Sequence, residues 1–341
     1  MCYTSSQYVL TYQYLKGVIF EMKNDVLYYS VGALLYCPAN KKSIADSIIN
    51  ESFGTKFSLA LCLEDTINDK FVAEAEQDLV ESINRIYISS QEKSFYIPKI
   101  FIRVRVPEQV VRLTRALGES ISVITGFIIP KFCLETSGTY INEIIRANEI
   151  ANKKLYMMPI YESSTIINLN TRYELLYELK DSLAKVEDLV LNIRVGGNDL
   201  CHVFGFRRHS DESIHRIRPI ANIFSDMITV YGTDYVVSGP VWEYYSGDNW
   251  EKGLIAEIKD DQLCGFTGKT VIHPKQIEVV NKTYRVSRAD YNDAQSILGW
   301  NKDSDSLVCG SESKERMNEY KTHVNWAHKT MYLAEAFGIE E

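Results

Sequence analysis

Glu64 and Asp65 stand just past a short apolar run, and so do Lys131, Glu162 and the segment Gly196, Gly197, Asn198, Asp199. Arg103 and Arg194 stand inside such runs, and Arg105 lies just past the first of them. If the runs are neighbouring strands about 4.8 Å apart, Glu162 and Asp199 end on adjacent strands and could grip one ion. Two protein oxygens leave most of an octahedral Mg2+ shell to water and substrate, the usual habit of that ion. The same two residues also read as a loop cap and a cap on the following helix. Arg103, in an otherwise apolar strand, suits bidentate carboxylate recognition, or equally a structural ion pair with Glu64 or Asp65. Gly196 and Gly197 allow close approach of backbone to a ligand or make a tight turn into a helix. Lys131 reads as a Schiff-base amine or as a partly exposed cation. His273, before Pro274, reads as structural. The basic stretch 206–218 fits a phosphate or a solvated loop and helix face.

These residues need elements that bring them to one place. Eight short apolar runs recur, at 32–37 (GALLYC), 58–63 (SLALCL), 99–104 (KIFIRV), 124–129 (ITGFII), 155–160 (LYMMPI), 190–195 (VLNIRV), 234–238 (DYVVS) and 270–273 (TVIH). They are continuous rather than alternating, as in parallel strands covered on both faces. Their starts lie 25 to 44 residues apart, room for a crossover helix in every gap. Residues 70–85, 136–152 and 173–183 have helical apolar spacing, and Pro107 suits a helix start. Eight strand–helix units predict a (β/α)8 barrel over residues 30–283, near the typical ~250 residues. A doubly wound two-domain fold is the alternative, but no linker divides the chain. Residues 1–29 form a Tyr-rich N-terminal extension, and 284–341 a tail with an apolar helix.

Composition excludes several classes. The chain has 341 residues, 45% hydrophobic, with 37 Lys plus Arg against 45 Asp plus Glu, a net charge of −8. The acidic balance speaks against nucleic acid. No run approaches the ~20 apolar residues of a membrane span, and the start lacks a signal-peptide pattern, so a cytoplasmic location is expected. Seven cysteines without C-x-x-C pairs give neither a disulfide framework nor a zinc site; Cys37, Cys62 and Cys133 read as small buried hydrophobes.

The motif order resembles the citrate lyase beta subunit-like family of the HpcH/HpaI aldolase superfamily. Residues 34–40 (LLYCPAN) look like its L-F-V-P-G-N opening, 61–65 (LCLED) like its D-L-E-D, and 102–104 (IRV) like its I-R-V-N. Residues 126–131 (GFIIPK) match its strand-four P-K, Glu162 its strand-five E-T position, and 195–200 (VGGNDL) its G-x-x-D-L. Residues 265–276 (GFTGKTVIHPKQ) match G-x-x-G-K-x-x-I-H-P-x-Q, the most specific segment. The resemblance spans roughly 32–282 and is greatest to the divergent carbon–carbon bond lyases of tellurite-resistance and stress gene clusters.

The resemblance implies a Mg2+-dependent (or Mn2+-dependent) lyase cleaving a small oxo- or hydroxy-carboxylic acid, or its CoA thioester, by a retro-aldol or retro-Claisen step. It implies Glu162 and Asp199 as metal ligands. Arg103 would bind the substrate carboxylate and offset enolate charge. Glu64 and Asp65 would order metal-bound water and Arg103, the Gly196–Gly197 backbone would hold a carboxylate, and Lys131 would contribute to substrate binding. A homo-oligomer, a trimer or a multiple of one, is also implied. Ala39 stands where the family usually has Gly, Cys37 where it has Val and Arg105 where it has Asn. An arginine common before the first strand is not evident at Ser30 or Val31. These changes bear on CoA binding. The alternative function is a non-catalytic barrel that binds a metabolite or partner.

Overall fold

The computed structural model describes residues 23–340. Eight parallel strands close a barrel in chain order: β1 Ala33–Pro38, β2 Ser58–Cys62, β3 Lys99–Arg103, β4 Ile124–Ile129, β5 Tyr156–Tyr161, β6 Ile193–Val195, β7 Val237–Trp242 and β8 Lys269–Val271. β8 pairs with β1 at Ala33 and Lys269, which leaves no edge. Twelve α-helices lie among the described residues. They are α1 Val26–Tyr29, α2 Ile44–Ile49, α3 Val72–Glu92, α4 Glu108–Leu117, α5 Leu134–Ala151, α6 Arg172–Ala184, α7 Gly197–Phe204, α8 Arg218–Tyr231, α9 Trp250–Cys264, α10 Lys275–Thr283, α11 Arg288–Leu298 and α12 Tyr320–Phe337. A small antiparallel hairpin, β9 Val308–Gly310 and β10 Met317–Glu319, precedes α12.

The predicted (β/α)8 TIM barrel is the observed fold. Its strands read as unbroken apolar runs because one face packs on the helices and the other fills the barrel. The seventh strand departs from expectation. It runs over 237–242, not 234–238. Asp234 and Tyr235 still belong to the turn that ends α8, with both amides bonded to the Tyr231 carbonyl. The strand continues through Gly239 and Pro240, where the register with β8 shifts. A proline is tolerated at such an irregularity, but in sequence it reads as the strand's end.

Side chains alternate between the two faces of each strand. Leu34, Ala60, Phe101, Ile128, Met158 and Ile160 pack together as the interior core. Leu27 and Tyr28 of α1, with Val31, pack against it at the strands' N-terminal ends. Toward the C-terminal ends the same inward positions become polar: Arg103 lies two residues beyond Phe101, and Glu162 two beyond Ile160. Of the expected N-terminal extension, residues 1–22 lie outside the described residues.

The apolar tail helix packs on the chain's own barrel. Phe337 of α12 joins the main core and stacks on Tyr284, ring centroids 5.1 Å apart. Tyr332 stacks on Tyr29 at the same distance. Phe337 also fits against Gly32, whose φ of 61° belongs to the left-handed region and whose missing Cβ would lie 3.2 Å from the Phe337 ring. Phe337→Ala should therefore lower stability by about 3–5 kcal/mol, read from denaturant unfolding. An unchanged midpoint would show that this ring does not anchor the tail.

Candidate active site

Arg103 organises the C-terminal mouth of the barrel. It ends β3 with its side chain inward and is 6% exposed. Its Nη2 lies 2.8 Å from Glu64 Oε2, 3.1 Å from Asp65 Oδ2 and 2.9 Å from Glu162 Oε1. A buried guanidinium needs such partners. Tyr36 of β1 lies under its plane, 5.7 Å away. Burial works against the charge, but Tyr36 and Glu162 outweigh it and hold the Arg103 pKa above its ordinary value.

Glu64 and Asp65 sit in the loop after β2, and Arg105 fixes that loop. Its guanidinium donates to the Leu63 carbonyl at 3.1 Å and the Glu64 carbonyl at 2.7 Å, and pairs with Asp69. Lys131 clamps the loop from the far side, pairing with Glu64 and, at 3.2 Å, with Asp65. The two adjacent acids titrate in opposite directions. Burial raises Glu64. Burial also pushes Asp65 up, but the Glu64 hydrogen bond and the Arg103 and Lys131 charges carry it down to about 2. Burial lowers Lys131, yet Glu64 and Asp65 raise it overall. An amine held in its charged form is poorly suited to imine chemistry.

Glu162 follows β5, beside Gly196, because Tyr161 pairs with Val195 across the β5–β6 ladder. A Cβ on Gly196 would lie 2.2 Å from Glu162 Cβ and 2.5 Å from its Oε2. Any side chain there would displace the carboxylate. Oε1 accepts from Arg103 and from the Lys131 backbone amide at 3.1 Å. Oε2 has no hydrogen-bond partner among the described residues. Burial drives the Glu162 carboxyl up to about 7, opposed by Arg103 and reinforced by Asp199. Asp199 lies in the first turn of α7, with Gly196 as its N-cap.

These groups enclose a cavity of about 220 Å3. Asp65, Arg103, Glu162, Gly196, Gly197 and Asp199 line it, as do Tyr36, Arg194, Asn198 and Thr270. Glu64 and Lys131 stand behind this lining and hold Asp65 and Arg103 in place. Sequence reasoning assigned no role to Tyr36, Asn198 or Thr270, and noted Arg194 without one. Tyr36, Arg194 and Thr270 project from within strands rather than from strand ends. Their signal was a polar residue in an apolar run at an inward position.

The residues suit one divalent cation. Two carboxylates, Glu162 and Asp199, line one cavity, and the Asp199 charge helps to raise the Glu162 carboxyl. No set of three or more His, Cys, Asp or Glu side chains suited to a metal occurs among the described residues. Two protein ligands with an open remainder match a hard ion that keeps water and takes substrate oxygens.

Two other sequence features have structural roles. His273 stacks on Tyr245 at 4.8 Å. In the stretch 206–218, Arg208 pairs with buried Glu257 at 3.0 Å and lies over Trp242, while His215 meets Asp261 at 2.7 Å. Arg207, Arg216 and Arg218 are exposed.

A barrel whose strand-end cavity gathers two carboxylates, Glu162 and Asp199, and the buried Arg103 has the layout of an enzyme site of this fold. The family described as C-C_Bond_Lyase of the TIM-Barrel fold matches residues 25–339, and the chain belongs to it. The citrate lyase subunit beta of Leuconostoc mesenteroides subsp. cremoris is 32% identical over 88 residues, which are 26% of this chain and 29% of that relative. Among solved structures, CitE from Mycobacterium tuberculosis, in complex with magnesium, acetoacetate and coenzyme A, superposes with a TM-score of 0.57 at 17% identity. That match covers 90% of this chain and 99% of CitE. RipC from Yersinia pestis superposes with a TM-score of 0.52 at 16% identity, over 77% of this chain and 99% of RipC. Both likenesses are of fold. No helix among the described residues is long and apolar enough to cross a membrane.

The raised Glu162 carboxyl has a measurable consequence. Between its ordinary value of 4.5 and about 7, the folded chain holds a proton there that the unfolded chain has lost. Stability therefore falls as pH rises through that window. In chelator-treated protein, the thermal midpoint of the wild type should drop relative to Glu162→Gln between about pH 5 and pH 7. Parallel curves would refute the shift.

Proposed function

We propose that the chain is a Mg2+-dependent carbon–carbon bond lyase acting on a small oxo- or hydroxy-carboxylic acid or its CoA thioester. The observation that carries this is Arg103, Glu162 and Asp199 on one cavity at the barrel's C-terminal mouth, where enzymes of this fold work. Glu162 and Asp199 would hold the cation. Once bound, the ion supplies Lewis acidity and a template for the substrate's oxygens. Mn2+ satisfies the same oxygen donors.

The chain's own groups do the rest. Gly197, Asn198 and Asp199 form the first turn of α7, whose amides lack intrahelical acceptors and favour an anion. The substrate carboxylate binds there, and Gly196 keeps that approach open. A retro-aldol or retro-Claisen step breaks the bond beside the carbonyl and leaves its electron pair on an enolate. Arg103 faces that developing charge already in place, held by Glu64, Asp65 and Glu162, so little reorganisation is needed. Asp65, carried down to about 2, stays a carboxylate and orders water at the cavity edge. Lys131 adds a further positive charge behind it. The magnesium of the CitE complex accords with the cation, and its coenzyme A with the thioester option. Assembly into a homo-oligomer, a cytoplasmic location and membership of the tellurite-resistance and stress branch are part of the same reading.

Asp199→Asn should abolish lyase activity and cation binding while leaving the fold intact. With Mg2+ and a small oxo-acid at a hundred times its Kd, the wild type should gain about 2.7 kcal/mol, seen as a rise in thermal midpoint. The variant should gain nothing. An Asp199→Asn protein that keeps the Mg2+-dependent rise overturns the ligand assignment.

A further inference from the structure

The floor of the same cavity holds a second guanidinium with no role so far. Arg194 projects inward from the middle of β6 and is 2% exposed. Its Nη2 donates to Thr270 Oγ1 at 2.5 Å and its Nη1 to Asn192 Oδ1 at 3.4 Å, both neutral acceptors. No carboxylate of the described residues lies within ion-pair distance of it.

That separates Arg194 from the other buried cations. Arg103 has three carboxylates around it. Arg172 pairs with Asp226 at 2.7 Å and Arg208 with Glu257 at 3.0 Å. Lys269 sits between Glu257 at 2.8 Å and Asp261 at 2.6 Å. A guanidinium remains charged in proteins, and a lone buried charge costs folding free energy that neutral hydrogen bonds do not offset. The nearby Arg103 repels it, and Tyr36 of β1 lies close by. Arg194, Tyr36 and Thr270 all line the cavity that Asp199 and Glu162 also line, and Arg194 pairs in register with Ile160, two residues before Glu162.

We propose that Arg194, with Tyr36 and Thr270, is an anion subsite on the cavity floor, and that the substrate is a short diacid whose second carboxylate binds there. One guanidinium flanked by two neutral hydroxyls balances one singly charged carboxylate. A cavity of about 220 Å3 suits a short-chain acid. The substrate would then span the site, one carboxylate at the α7 N-terminus and the other on Arg194, with the reacting carbon beside Arg103. The inference rests on the lyase reading above for the first carboxylate, while the floor subsite follows from Arg194 alone.

The test uses two pairs of probes matched in chain length: 2-hydroxybutanoate with malate, and 2-oxopentanoate with 2-oxoglutarate. Each is titrated calorimetrically into the full chain with Mg2+. In at least one pair the diacid should bind ten times more tightly or better. Arg194→Met should weaken that diacid at least tenfold and its monoacid less than threefold. Tyr36→Phe and Thr270→Val, which keep the volume of the floor, should each cut the preference at least threefold, and they serve as the decisive variants if Arg194→Met does not fold. Equal affinities within both pairs, or a preference that survives these substitutions, overturns the floor subsite. If monoacids bind and Asp199→Asn leaves that binding unchanged, the cation reading fails while the floor preference is still measured. Binding of no acid at all overturns both.

Discussion

The architecture of the mouth follows from one burial problem, the charge of Arg103. A guanidinium at 6% exposure must be surrounded by acceptors or it unfolds its own strand. The chain answers from two directions, with Glu64 and Asp65 after β2 and Glu162 after β5. Each answer creates a further requirement. The β2 loop needs Arg105 and Lys131 to hold two adjacent acids together. Glu162 needs a residue without a side chain beside it, hence Gly196. Arg103 is thus a structural ion pair and a preorganised positive charge at once, and the two readings of it are not rivals.

The same crowding separates the acids chemically. Asp65 lies half in solvent beside two cations and is carried down to about 2, while Glu162, buried and facing Asp199, is driven up to about 7. Carboxylates pushed apart in this way take different roles. Asp65 is held as an anion by Arg103 and Lys131, with no call on a bound metal ion. Glu162 is the group whose charged form a bound cation would stabilise most.

Much of this was legible in the amino-acid order, and what was not has a physical reason. Continuous apolar runs disclosed the strands because parallel strands are buried on both faces. Strand seven was misplaced because Pro240 sits at a register irregularity that cannot be seen in one dimension. Glu64, Asp65, Glu162 and Asp199 stand out in the sequence because strand ends are where a barrel displays polar groups. Tyr36, Arg194 and Thr270 lie before the ends, and their importance depends on which face of the strand they occupy. That Arg194 lacks a carboxylate could not be read at all, since pairing depends on residues dozens of positions away.

The most specific sequence match turns out to bear on the frame rather than the chemistry. In residues 265–276, Lys269 is fully buried between Glu257 and Asp261 and ties β8 to α9. Gln276 accepts from the amides of Ile272 and His273 and donates to the carbonyls of Trp242 and Tyr244. One side chain thereby fixes the loops that follow β7 and β8. Both contacts lie on the helix side or beyond the strand ends, so neither enters the cavity. A motif can be specific because many buried polar groups must be satisfied together, and this one holds in register the strand that places Thr270 against Arg194. The segment that best marks the family thus serves the frame through Lys269 and Gln276 and reaches the cavity itself only through the Thr270 hydroxyl.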